Sequence, residues 1–192
     1  MVNYESDNTN SDLTPSWPNT SIWDVQIVDD GSENTGGQGA NLADGAVVSA
    51  GQMTVADNPN NDAWEDGGTQ TVEAEISSGS MDLRGRCRIT KLSSTGTIIE
   101  SGSFTGFQTL QAANLTFSPV APTWSGTEAC GNRLAIEWEF ENTNGMGMSQ
   151  TFQIEFGTTT SQVVTTITKD TASCTAQPAA VQGIPINQSV MI

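Results

Sequence analysis

Apolar and polar residues alternate along much of this chain with a period of two, which puts successive side chains on opposite faces of a β-strand. The cleanest run is Leu134, Ile136, Trp138 and Phe140, interleaved with Ala135, Glu137, Glu139 and Glu141. Trp23, Val25 and Ile27 alternate with Asp24 and Gln26, and Val72, Ala74 and Ile76 with Glu73 and Glu75. Phe152, Ile154 and Phe156 alternate with Gln153 and Glu155, and Val163, Thr165 and Ile167 follow. Less regular strands are expected near 46–55, 97–104, 107–117 and 184–190.

Between these runs lie clusters of Gly, Asn, Asp and Pro: DDGSENTGGQG, ADNPNNDAWEDGG, SPVAPTWSGTEACGN and ENTNGMGM. Such clusters are turn chemistry. No segment keeps apolar residues at helical spacing over three turns, and no internal repeat points to a propeller or solenoid. The pattern predicts an all-β fold, a single jelly-roll barrel or two-sheet β-sandwich of about eight to ten strands. Residues 21–192 form that domain. Residues 1–20, polar with Pro15 and Pro18, read as an N-terminal arm anchored by Trp17.

Composition then narrows the setting. The chain has 22 carboxylates against six lysines and arginines, no histidine, and a net charge of −16. Nothing in that balance neutralises a run of phosphates, so nucleic acid is not an expected partner. Five tryptophans and six phenylalanines argue for a packed core rather than an acidic disordered chain. A folded acidic surface suits concentrated salt, where the Debye length is about 3 Å at 1 M and self-repulsion is screened. A halophilic setting is therefore expected. The opening MVNYESDNTNSDLTPSW has neither a basic n-region nor an apolar h-region, so export by an ordinary cleaved signal is not expected.

Four of the six cations, Arg84, Arg86, Arg88 and Lys91, fall in MDLRGRCRITKL. On a strand the three arginines share one face. They either pair across a hairpin with Glu73 and Glu75 of the preceding strand, or form an interface where another acidic copy docks.

Candidate chemistry is sparse. Without histidine, Ser–His or Cys–His nucleophilic catalysis and histidine-ligated metal sites are excluded. Glu137, Glu139 and Glu141 share one strand face and could run glycoside hydrolysis, although a row of acids on a strand is ordinarily hydrated surface. The loop ADNPNNDAWEDGG offers Asp57, Asp62 and Asp66, with Asn58, Asn60 and Glu65, as oxygen donors for Ca²⁺ or Na⁺, but without EF-hand order. No other cofactor is expected. The three cysteines are either buried thiols or one bridge plus one free thiol, and Cys130 and Cys174, in loop-like segments, are better candidates for a covalent tie than strand-borne Cys87. Sequons begin at Asn19, Asn114 and Asn187.

In size, acidity and strand pattern the whole chain resembles the smaller major capsid protein of tailless icosahedral haloarchaeal viruses with an internal membrane. That resemblance implies a single upright jelly-roll barrel, a virion location after assembly in the host cytoplasm, and no enzymatic activity. It also implies partnership with itself, as a homodimer or higher oligomer, and with a larger capsid protein in capsomers over a lipid vesicle. The alternative is a carbohydrate- or receptor-binding β-sandwich such as a spike or decoration protein, with the loop tryptophans Trp17, Trp64 and Trp124 as its binding patch.

Overall fold

In the computed structural model, residues 2–28, 34–54, 63–65, 70–120, 122, 132–157, 162–165 and 168–170 are described, and every regular element among them is a strand. In chain order these are β1 (Val2–Asn10), β2 (Ser21–Val28), β3 (Gly36–Leu42), β4 (Val47–Thr54), β5 (Ala63–Glu65), β6 (Thr71–Ser78) and β7 (Leu83–Leu92). Then come β8 (Ile98–Ser101), β9 (Gln108–Thr109), β10 (Ala113–Phe117), β11 (Arg133–Asn142), β12 (Gln150–Phe156), β13 (Gln162–Thr165) and β14 (Thr168–Asp170). The fold is all-β, as the alternation predicts.

A 12-stranded sheet runs in the order β3-β12-β6-β13-β1-β2-β4-β11-β7-β8, with β10 added on β6 and β9 on β7; β5 and β14 form a separate pair. Among the described residues only β2 and β4 pair in parallel. The sheet closes over one core, between a half built from β2, β4, β11 and β7 and a half built from β10, β6, β12 and β3. Trp138 sits in it, edge-on to Phe117 at 5.2 Å and stacked on Phe140 at 5.8 Å. Phe140 in turn meets Phe152 at 4.5 Å. The indole Nε1 of Trp138 donates to Gln52 Oε1 at 3.0 Å, so its one polar atom is satisfied inside the core.

The inward rows are those read from the alternation: Trp23, Val25 and Ile27; Val72, Ala74 and Ile76; Leu134, Ile136, Trp138 and Phe140; Phe152, Ile154 and Phe156. Two expectations change. The N-terminal segment is not an arm outside the 21–192 domain but part of its sheet: β1 pairs with β13 on one side and β2 on the other. In addition, no hairpin joins β6 to β7; β7 pairs with β11 along its whole length, Arg133↔Leu92 through Asn142↔Leu83. Closing a sandwich needs that long-range pairing, and a short link between β6 and β7 carries the chain from one half to the other instead.

Residues 11–20 cross the outer face of the β4–β11–β7 half. There Trp17 and the partly buried Leu13 pack on Met53, Leu92 and Ala135, forming a second, smaller apolar cluster. Gly51 permits this approach: a Cβ at that position would stand 2.6 Å from Trp17 Cζ2. The strap is pinned at both ends of its course. Asp12 accepts from Arg133 Nη1 at 2.6 Å and Nη2 at 2.9 Å, and Trp17 Nε1 donates to Asp24 Oδ1 at 2.7 Å.

Candidate functional site

The arginine stripe and the glutamate row meet on this outer face. Both sequences repeat a charge every second residue, and the antiparallel register of β7 and β11 sets Arg84 against Glu141, Arg86 against Glu139 and Arg88 against Glu137. The pairs close as hydrogen-bonded ion pairs: Arg84 Nε to Glu141 Oε2 at 2.9 Å, Arg86 Nε to Glu139 Oε1 at 2.8 Å, and Arg88 Nε to Glu137 Oε2 at 2.7 Å. Charge-assisted bonds of this length are the stronger kind.

Two phenylalanines complete the ladder. After β8 the chain runs back along the edge of β7, held by Gly102 N–H to Ile89 O and Thr105 N–H to Cys87 O. This course lays Phe104 over Arg86 and Arg88, at 4.5 and 4.3 Å from guanidinium carbon to ring centre, and Phe107 over Arg84 and Arg86, both at 4.3 Å. Each arginine thus bonds a carboxylate through its edge and stacks on an aromatic ring through its face.

Burial deepens along the ladder. Side-chain exposure of the glutamates falls from 24% at Glu141 to 13% at Glu139 and 1% at Glu137, and of the arginines from 43% to 31% to 20%. The row is therefore not a hydrated face, and Glu137, Glu139 and Glu141, weighed for glycoside hydrolysis, each hold an arginine. Glu73 and Glu75, the expected hairpin partners, lie on β6 and do not meet the stripe. Lys91 falls out of phase with the arginines: it is 3% exposed, with Nζ 3.7 Å from Glu100 Oε2. Phe104 and Phe107 carried no signal in a sequence reading centred on charge.

Two carboxylates that fasten the strap have opposite electrostatics. The hydrogen bonds from Arg133 hold Asp12 below the usual carboxylate range. Burial pushes Asp24 above it, and the hydrogen bonds from Trp17 and Ser21 only partly oppose that.

The remaining expected site residues fall as follows. Trp17 is 8% exposed and bonded to Asp24, so it belongs to the strap and not to an open aromatic patch. Cys87 is a buried free thiol whose pKa burial drives well up, leaving it unreactive. Asn19 donates to Glu139 Oε2 at 3.4 Å, while Asn114 is exposed on β10. Asp57, Asp62 and Asp66, Cys130 and Cys174, Trp124, Asn187 and the strand expected at 184–190 lie outside the described residues, as does the side chain of Trp64. Among the described residues no group of three or more Cys, Asp or Glu could hold a metal ion.

No family model matches the chain. No curated protein matches it either. Among solved structures it is similar to a CocE/NonD family hydrolase from Staphylococcus aureus, at TM-score 0.46 and 12% identity, over 74% of this chain and 34% of that one. A second structure of that hydrolase gives TM-score 0.43 and 12% identity, over 85% and 36%. The structure of infectious bursal disease virus, Gx strain, gives TM-score 0.24 and 12% identity, over 79% and 42%. The chain therefore spans about a third of the hydrolase chains. The expectation of no enzymatic activity is corrected, since the solved structures to which the chain is similar include chains described as CocE/NonD family hydrolases. At these TM-scores neither likeness carries an argument about activity.

Proposed function

We propose that this chain is a structural β-sandwich that packs beside copies of itself, as a jelly-roll capsid protein in the shell of a halophilic icosahedral virion. The observation that carries the reading is the braced outer face. Three arginines, three glutamates and two phenylalanines are committed to one another, and beside them a strap packs on Met53, Leu92 and Ala135. Arginine and phenylalanine are common recognition residues; here both are used to stiffen a sheet. A rigid slab with an acid coat suits a lattice in brine, where salt screens repulsion between neighbours. The reading extends to a second, larger capsid protein and to a virion location, on the strength of the resemblance in size, acidity and strand pattern.

The test is mass and particle size of the full chain in molar NaCl, with and without reductant. Concentration-dependent assembly is expected, and a reductant-sensitive fraction would identify Cys130 or Cys174 as a covalent tie. A lone species of about 20 kDa at high concentration in both conditions would overturn the reading.

A further inference from the structure

One end of the sandwich is nearly free of charge. There lie residues 18–20, 43–46, 79–82, 110–112 and 143–149, which hold only two carboxylates, Asp44 and Asp82, and no lysine or arginine. On a chain of net charge −16, such an end stands out. Its carboxylates are moreover turned to internal work. Asp44 accepts from the backbone N–H groups of Gly145 and Gly147, both at 2.7 Å, and Asp82 accepts from Asn144 Nδ2 at 2.6 Å.

The same end exposes apolar side chains. Six large hydrophobic residues are exposed among the described residues, and four of them sit here: Val47, Met81, Met146 and Met148. Met146 is 80% exposed, Met81 75% and Met148 53%. They do not stand on slack loops. Gly145 and Gly147 take φ of 69° and 74°, Thr143 N–H bonds Asp82 O, and Asn142 Nδ2 bonds both Leu42 O and Met148 O. The lacing among the 43–46, 79–82 and 143–149 connections holds the three methionines at one end while leaving them in water. Unbranched thioether side chains adapt readily to an apposed apolar surface.

We propose that this end is where a second copy of the chain docks, end to end, with Met81, Met146 and Met148 at the centre of the contact. Charge decides the occupant. Even where the Debye length is about 3 Å, carboxylates pressed together in a contact still repel, and this end sets almost none against its twin. A two-fold contact also sets each copy's apolar patch against its twin. A strongly basic partner would find only Asp44 and Asp82 to pair with here, and both are already hydrogen-bonded within the chain. The inference rests on the self-packing reading above and names one surface through which copies would meet.

The experiment is sedimentation of the full chain over a concentration series in molar NaCl, comparing the parent with Met146→Glu/Met148→Glu, with Met81→Glu, and with the control Ile99→Glu/Val120→Glu. The control adds the same two charges at exposed apolar positions outside this end. Circular dichroism and melting confirm that each variant is folded. The expected result is association weakened about a hundredfold in the double variant, and about tenfold in Met81→Glu, with the control unchanged. Equal association of parent and double variant, or equal weakening in the control, overturns the proposal while leaving self-packing intact. A monomeric parent overturns both. Flotation with phosphatidylcholine vesicles forms a second arm: a parent that stays monomeric yet floats through these methionines identifies a lipid surface as the occupant and overturns the second copy.

Discussion

On β11 the inward row Leu134, Ile136, Trp138 and Phe140 meets hydrocarbon, while the outward row Glu137, Glu139 and Glu141 meets arginine and, through it, phenylalanine. Both rows are largely withdrawn from water, so the alternation marks two chemistries and not an inside and an outside. The inner face gains from apolar area removed from water. The outer face gains less per residue, because desolvating a charge offsets much of what pairing returns. Its contribution lies more in fixing register: sliding β7 by one residue against β11 would put every arginine on the core side and leave every glutamate without a partner.

The inner face should therefore fail hardest. Trp138→Ala removes the ring between Phe117 and Phe140 together with the indole hydrogen bond to Gln52 Oε1. A loss of about 3–5 kcal/mol is expected, read as the shift in urea midpoint in molar salt. A shift below about 1 kcal/mol would place the main stabilising contact of the sandwich elsewhere.

On the outer face the effect should follow burial. Glu137→Gln strips the charge from a nearly buried carboxylate beside Arg88 and should cost about 3 kcal/mol. Glu141→Gln acts on a pair that water reaches and should cost under about 1 kcal/mol, shrinking further with added salt. Glu139→Gln falls between. Equal costs at the three positions would show that the gradient in exposure does not set the energetics, and the contrast between the ladder's ends would lose its basis.

How much of this was legible in the sequence follows from the same contrast. Period-two alternation reports which side chains share a face, and for β2, β6, β11 and β12 it named the core row correctly. It is silent on what covers the other face. The hairpin assigned to Glu73, Glu75 and the arginines followed nearness in sequence, whereas the partners lie 49 to 57 residues away. One signal was present and went unused: 84, 86, 88 and 137, 139, 141 repeat opposite charges at the same spacing, which suits an antiparallel ladder. β1 was missed for a different reason. VNYESDNTN has no apolar row, and what places it is backbone pairing with β2 and β13. Trp17 was legible as the anchor of the N-terminal segment, but nothing local shows the seat that Gly51 clears for it.

That seat gives the next test. Gly51→Ala puts a methyl group against Trp17 and the Asp24 carboxylate, 2.6 and 2.5 Å from their nearest atoms, on a strand otherwise able to accept alanine. The expected cost is about 1–3 kcal/mol. Paired with Trp17→Ala it should become much smaller, since the clash then has no partner. Full additivity of the two changes would mean that the strap does not bear on β4 in solution.

The smallest effect separates the strap's two anchors by pH. The folded-state pKa of Asp12 lies below its unfolded value, so its bond to Arg133 stabilises above the ordinary aspartate range and is lost as pH falls through the lowered folded value. Asp24 runs the other way. Its folded-state pKa is raised by burial, so its contribution is full below the ordinary range and is lost as pH rises through the raised value. Asp12→Asn should therefore lower the thermal midpoint at neutral pH and converge on the parent in acid. Asp24→Asn keeps an acceptor for Trp17 Nε1 while discarding a charge that folding disfavours, so it should raise the midpoint slightly at neutral pH and lose that advantage in acid. Profiles that move in the same direction would mean that the two carboxylates share one environment. Asp24 would then be as wet as Asp12, and the outer face would not be closed at Trp17.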